Sequence, residues 1–142
     1  MLRARPELAA KLLRTRSLMD QAVEDALVIG HEPLISELVL PDPDDRHVLA
    51  AAIRGRADVI VTFNIKHFPG ELLAPFRIET RHPNLFIRDV LDLNEAVALG
   101  AVIGHRGSLR HPAFSAEEYL DLLLRQGLAG TVAFLRSWED FL

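Results

Sequence analysis

The chain has 142 residues, 49% of them apolar, and a net charge of −4. This is one domain's length with enough apolar material for a single core, which excludes a disordered chain, and the acidic balance excludes simple adhesion to nucleic acid. Without cysteine there is neither a disulfide framework nor a thiolate metal site. The charged opening MLRARPELAAK is no signal peptide, and no apolar run approaches the roughly 18 residues of a membrane span. The expectation is a cytoplasmic protein with no membrane association.

Pro6 suits a first helical position, and Leu8, Leu12, Leu13, Met19, Ala22 and Val23 then recur at helical spacing to about Asp25. Within residues 1–16, Arg3, Arg5, Lys11, Arg14 and Arg16 stand against Glu7 alone, while the remainder of the chain is strongly acidic. Such a basic edge is either a solvated helix face or a grip for phosphates. Ala26 to Ile29, closed by Gly30, reads as a buried strand, and Pro33 to Leu38 as one helical turn.

The segment PDPDDRHVLAAAI, residues 41–53, follows. Asp44 or Asp45 can cap a helix that carries Val48, Leu49, Ala52 and Ile53 on one face and stops at Gly55. Val59 to Phe63 is apolar and β-branched, the pattern of a central parallel strand covered on both faces. A turn at Glu71–Leu73 and a third strand at Arg77–Thr80 come next. After Pro83 the chain reads as helical: Phe86–Leu91, then Asn94 to about Ile103, then a helix through Leu124 opened by the capping box of Ser115 and Glu118 and ended by Gly127. A last helix spans about Thr131–Leu142. The expected division is an α/β part at 1–92 and a helical extension at 93–142 packed on the same core.

Asp42, Asp44 and Asp45 at a helix mouth are either caps and dipole partners or ligands for a hard dication such as Mg2+ or Mn2+, which takes oxygen donors and could serve phosphodiester cleavage. In open α/β folds such ligands converge at the carboxyl ends of the strands, so Asn64, Lys66 and His67, just past the 59–63 strand, are candidates to face the same pocket. His67 is equally readable as a satisfied surface histidine, and the whole chain as a helical adaptor whose aspartates only cap.

The run PDPDDRHVLAAAIRGRADVIVTFNIKHFP resembles the second half of a PIN domain, the fold of metal-dependent ribonucleases that include the VapC-like toxins of toxin–antitoxin pairs. The likeness extends to RHPNLFIRDVLDL and loosely to the helical tail. It implies a three-layer α/β fold with a short parallel sheet, an endoribonuclease activity on RNA, and one or two Mg2+ or Mn2+ ions. It also implies a partner antitoxin protein. The family's third acid falls on Asp45. Its post-strand acid falls at Asn64 or His67, neither a carboxylate, although His67 could offer a ring nitrogen to Mn2+. On this reading Asp42, Asp44 and Asp45 are the catalytic candidates and Asp45, Asp42 and His67 the metal candidates. Arg3, Arg5, Lys11, Arg14 and Arg46 are the RNA contacts.

The family's opening strand with its first aspartate, and the helical segment bearing its second acid, have no counterpart before Arg5. The expectation is therefore an N-terminally truncated domain, impaired as an enzyme, whose central first strand is missing. The strands at 26–29 and 59–63 would then have unpaired edges, satisfied in a dimer by edge pairing or swapping. A non-catalytic protein- or RNA-binding remnant is the alternative.

Overall fold

The computed structural model describes residues 6–23 and 25–142, with side chains from Lys11 onward. Arg3 and Arg5 lie outside the described residues. The chain forms two compact units, one up to Asp58 and one from Val59 to Leu142. It is a mixed α/β structure dominated by helix, with one two-stranded parallel sheet among the described residues.

The first unit opens with helix α1, Pro6–Ala22. Its end comes a few residues before Asp25, and Leu12, Leu13, Leu18 and Met19 along it are exposed. The strand expected at Ala26–Ile29 does not form. The segment is irregular, with Leu27 and Ile29 exposed, because four apolar residues have no strand to pair with among the described residues of this unit and an unpaired strand leaves its backbone groups unsatisfied. The turn expected at Pro33–Leu38 is present as a 3-10 turn, Glu32–Glu37. It leads into Leu38 and Leu40, both buried.

Helix α2, Arg46–Arg54, packs against that turn and buries Leu49, Ala50 and Ala52. Gly55 closes it. A side chain at Gly55 would meet Val28 Cγ2 at 2.9 Å and the Ala51 carbonyl at 3.1 Å, so glycine is required by close approach and not by a left-handed backbone. The left-handed residue is the next one, Arg56, with φ of 54°.

In the second unit, strand β1, Val59–Val61, pairs in parallel with β2, Glu79–Arg81, in the register Val59–Glu79, Ile60–Thr80, Val61–Arg81. Both strands are shorter than or shifted from the sequence expectation. The 59–63 run is also not covered on both faces: Ile60 is buried, but Val61 and Phe63 are exposed. Between the strands, a 3-10 turn at Ile65–His67, helix α3 (Gly70–Leu73) and a further turn at Ala74–Phe76 carry the chain across. Thr80 Oγ1 donates to the Phe68 carbonyl at 2.8 Å, tying β2 to that crossover.

The helical part runs longer than its pattern suggested. Helix α4 is Pro83–Leu93, and α5 is Glu95–Ser108, continuing past Gly104 and Gly107. The Asn94 side chain caps α5 by accepting from the Val97 N–H at 3.2 Å. Helix α6, Ala116–Arg125, opens on the expected capping box: Ser115 Oγ accepts from the Glu118 N–H, and Glu118 accepts from the Ser115 N–H at 2.9 Å. Gly127, with φ of 81°, supplies the left-handed turn after it. The last expected helix is divided into α7, Ala129–Leu135, and a 3-10 turn, Arg136–Phe141.

Leu99, Leu120, Val132, Leu135 and Leu142 form a buried cluster, flanked by Val102, Ala116, Leu123, Phe134 and Trp138. Three polar pins hold the helices around it. Asn84 Oδ1 accepts from the Thr131 N–H at 3.0 Å, joining α4 to the start of α7. Trp138 Nε1 donates to Glu95 at 3.0 Å. Arg106 donates to the carbonyls of Phe114 at 2.6 Å and Leu142 at 2.9 Å. The Arg88 guanidinium lies 4.6 Å over the Phe134 ring while it pairs with Asp92 at 3.3 Å.

Leu135 is fully buried, so Leu135→Ala removes transfer energy and leaves a cavity. The expected loss is about 2–5 kcal/mol in denaturant unfolding; a loss below 1 kcal/mol would show that the site collapses or is looser than its packing indicates. The capping box makes a second prediction. Its hydrogen bonds with Ser115 hold the Glu118 carboxyl below its ordinary value of 4.5. A depressed carboxylate stabilises the folded state above the unfolded value and loses that contribution as pH falls through its own titration. Glu118→Ala is therefore less stable than the parent at neutral pH, and the difference shrinks in unfolding curves taken below pH 4.5.

Candidate metal centre

The acidic turn is built before α2 begins. Pro43 presets the backbone for a 3-10 turn at Pro43–Asp45. Asp42, extended with φ of −107° and ψ of 113°, precedes it. Its Oδ1 accepts the Asp44 N–H at 2.9 Å, and its carbonyl accepts the Asp45 N–H at 3.2 Å. Asp42 is thus the side-chain cap, where the sequence pointed to Asp44 or Asp45. Asp45 occupies the N-cap position of α2 but makes no side-chain capping bond there. The reason is local: an Asp-x-Asp step lets the first carboxylate reach the N–H two residues on.

A carboxylate oxygen of Asp42 and one of Asp45 lie within 4.8 Å of each other, and both residues are half-buried. Two oxygens each about 2.0–2.4 Å from one dication can stand no further apart than that. The donor chemistry, two carboxylates on one backbone turn, therefore fits a hard cation. Asp44 is exposed; its carbonyl accepts from His47 Nδ1 at 2.6 Å, which places the proton on that nitrogen. The turn sits at the N-terminal end of α2, where the helix's aligned N–H groups moderate the repulsion among three carboxylates.

Arg46, the first residue of α2, is half-buried, and its Nε is out of solvent with no hydrogen-bond partner. Lys11 and Arg14 are exposed on α1, one helical turn apart. Arg16, also exposed, is drawn toward Asp20 at 3.7 Å. In the second unit, His67 ends the 3-10 turn that follows β1 and is half-buried. Asn64, at the N-cap position of that turn, does not cap with its side chain; its N–H donates to Thr62 Oγ1 at 3.0 Å. Lys66 is exposed.

Sequence reasoning missed the organising role of Asp42, for which the D-P-D step was the available signal. It also missed Arg106 and Asn84, whose bonds to distant backbone leave no mark in local spacing.

Residues 2–66 match the PIN domain family, and residues 83–137 match the VapC50 C-terminal domain. Over 82 residues, 58% of its length, the chain is 46% identical to a Mycobacterium tuberculosis protein named as a candidate ribonuclease, VapC50. It spans about half of that relative, 48% of its length. No solved structure is matched. Among the described residues, no helix is long and apolar enough to cross a membrane. A PIN-domain match over the acidic turn, followed by a match to the C-terminal domain of VapC50, makes the chain similar to VapC-like PIN-domain proteins.

Proposed function

We propose that the chain works as a PIN-type, metal-dependent endoribonuclease, the toxin member of a toxin–antitoxin pair acting in the cytoplasm. The observation that carries this reading is the Asp42–Asp45 carboxylate pair, oxygens within 4.8 Å on a turn braced by its own hydrogen bonds, inside the segment that matches the PIN domain. Asp45 and Asp42 are the carboxylates that would hold Mg2+ or Mn2+. When bound, the ion supplies an activated water and neutralises charge on the phosphate. Asp44 acts through its backbone, whose N–H orients Asp42. The assignment of His67 as a nitrogen donor rests on the resemblance alone.

Lys11 and Arg14 are assigned to RNA phosphates, with Arg3, Arg5 and Arg46 as further candidates. The exposure of Lys11 and Arg14 on a helix that is otherwise short of acid supports this. An antitoxin protein and a second copy of the chain are the proposed protein partners.

The test is cleavage of a single-stranded RNA with Mn2+ or Mg2+ added and removed. Chelation is expected to abolish cleavage. Asp45→Asn and Asp42→Asn are each expected to lower it by at least about a hundredfold, the loss that even outer-shell changes around a metal can cause. Asp44→Asn, which keeps the orienting N–H, costs much less. Cleavage that survives Asp45→Asn overturns the assignment of that residue, and RNA binding without any metal-dependent cleavage favours a binding module instead. For the phosphate contacts, Lys11→Ala and Arg14→Ala are expected to weaken RNA binding alike for all sequences. Each should reduce the slope of log affinity against log salt by about 0.7 for a single strand; an unchanged slope removes α1 from the interface.

A further inference from the structure

Phe63 stands two residues past the end of β1, and His82 follows directly on the end of β2. The strands run parallel, so both rings lie at their carboxyl ends, the side of an open α/β sheet on which ligands bind. The rings meet at a right angle, with an interplanar angle of 88° and centroids 5.1 Å apart. Phe63 is nevertheless 56% exposed.

A single apolar side chain in water is ordinary. This one differs in being held from several directions while it stays in water. Its backbone is pinned on both sides: the Thr62 N–H donates to the Arg81 carbonyl at 3.0 Å, and the Asn64 N–H donates to Thr62 Oγ1 at 3.0 Å. Its ring is braced by His82, which is fixed in turn because its Nδ1 accepts the Asn84 N–H at 3.1 Å where α4 begins. Gly127 lies close to the ring as well, since a side chain there would stand 3.6 Å from Phe63 Cε1. A perpendicular neighbour covers at most one face of an aromatic ring, so Phe63 presents a flat, rigid surface to solvent. Lys66, three residues on in the turn Ile65–His67, is exposed and adds a positive charge.

We infer that Phe63 is a stacking platform for one base of a single-stranded RNA, with Lys66 on an adjacent phosphate. All of these residues belong to the second unit. A protein partner would be served by any apolar side chain, whereas a flat ring beside a cation matches the two halves of a nucleotide, its π-face and its phosphate. A ring already fixed by its surroundings loses little freedom when a base settles on it. Because every base has a π-face, the contact adds affinity without choosing a sequence. The inference rests on the reading of the chain as acting on RNA, and it places a contact for that RNA outside the acidic turn and α1.

The test is equilibrium binding of the full chain to a short single-stranded RNA carrying 2-aminopurine flanked by uridines, with chelator present so that no cleavage intervenes. The fluorescence of 2-aminopurine falls when it stacks. The parent is expected to bind and to quench it. Phe63→Leu keeps an apolar side chain and removes the flat ring. It is expected to bind about tenfold more weakly, a change of 1.4 kcal/mol, and to lose the quenching, with the salt slope unchanged and helical circular dichroism like that of the parent. Phe63→Trp is expected to match the parent in affinity and quenching. Lys66→Ala is expected to keep the quenching and to lower the slope of log affinity against log salt by about 0.7. Binding and quenching indifferent to Phe63→Leu overturn the platform and leave the RNA reading standing, as does a loss that Phe63→Trp shares. A parent that binds no RNA overturns both. Quenching that depends on Phe63 in a chain without metal-dependent cleavage upholds the platform while the nuclease reading falls.

Discussion

The hydrogen bond from the Asp44 N–H to Asp42 Oδ1, 2.9 Å long, is a small interaction on which the geometry of the acidic turn depends. Three carboxylates in four residues repel one another, and left to themselves they would spread into solvent. The bond fixes one of them against the backbone and satisfies an N–H at the helix entrance that would otherwise lack a partner. The Asp42 carbonyl, accepting from Asp45, completes the turn. Asp45 is then held where its carboxylate meets that of Asp42 without being consumed as a cap. Beneath the turn, Leu49, Ala50 and Ala52 anchor α2 by burial, so the entrance cannot shift without disturbing packed side chains. Rigidity at the acidic turn is thus borrowed from apolar residues one turn further along.

The second unit solves a different problem. Seven-residue α7 is too short to be stable by itself, and it owes its position to the side chain of Asn84, the ring of Phe134 under Arg88, and the cluster around Leu135. Gly130 belongs to the same arrangement: a side chain there would lie 2.8 Å from Asn84 Nδ2, so the absence of one lets α4 and α7 approach. Arg106 performs a comparable service at the other end of the bundle, using a charged group to satisfy two carbonyls that regular structure leaves over.

What could be read in advance divides along physical lines. Ser115 with Glu118 and Asn94 before its helix were legible because a cap and its N–H lie within four residues of each other, and the pattern is written in the chain itself. The parallel strand at 59–61 was legible as an element from its β-branched residues and the one at 79–81 only approximately, as Arg77–Thr80; neither was legible in its extent, since a strand ends where its partner ends. Ala26–Ile29 misled for the same reason: composition proposes a strand, and only a neighbour can make one. The helix expected to end at about Ile103 continues through Gly104 and Gly107; each glycine costs a helix only about 1 kcal/mol, which the packing of Leu99, Val102 and Arg106 offsets. In the acidic turn, residue types marked Asp42, Asp44 and Asp45 as candidates. Which aspartate caps depends on backbone angles that no spacing reveals.

The bond between Thr131 and Asn84 spans 47 positions of the chain. Closing so long a loop costs conformational entropy that grows with its logarithm, and nothing local repays it until α7 docks. Helices α4, α5 and α6 open on side-chain caps from neighbouring residues, whereas α7 has no such cap and takes a bond at its entrance from Asn84. Any opening of this last segment breaks that long-range bond as well. Because it carries Val132 and Leu135, a transient opening there uncovers the centre of the helical core and not its rim.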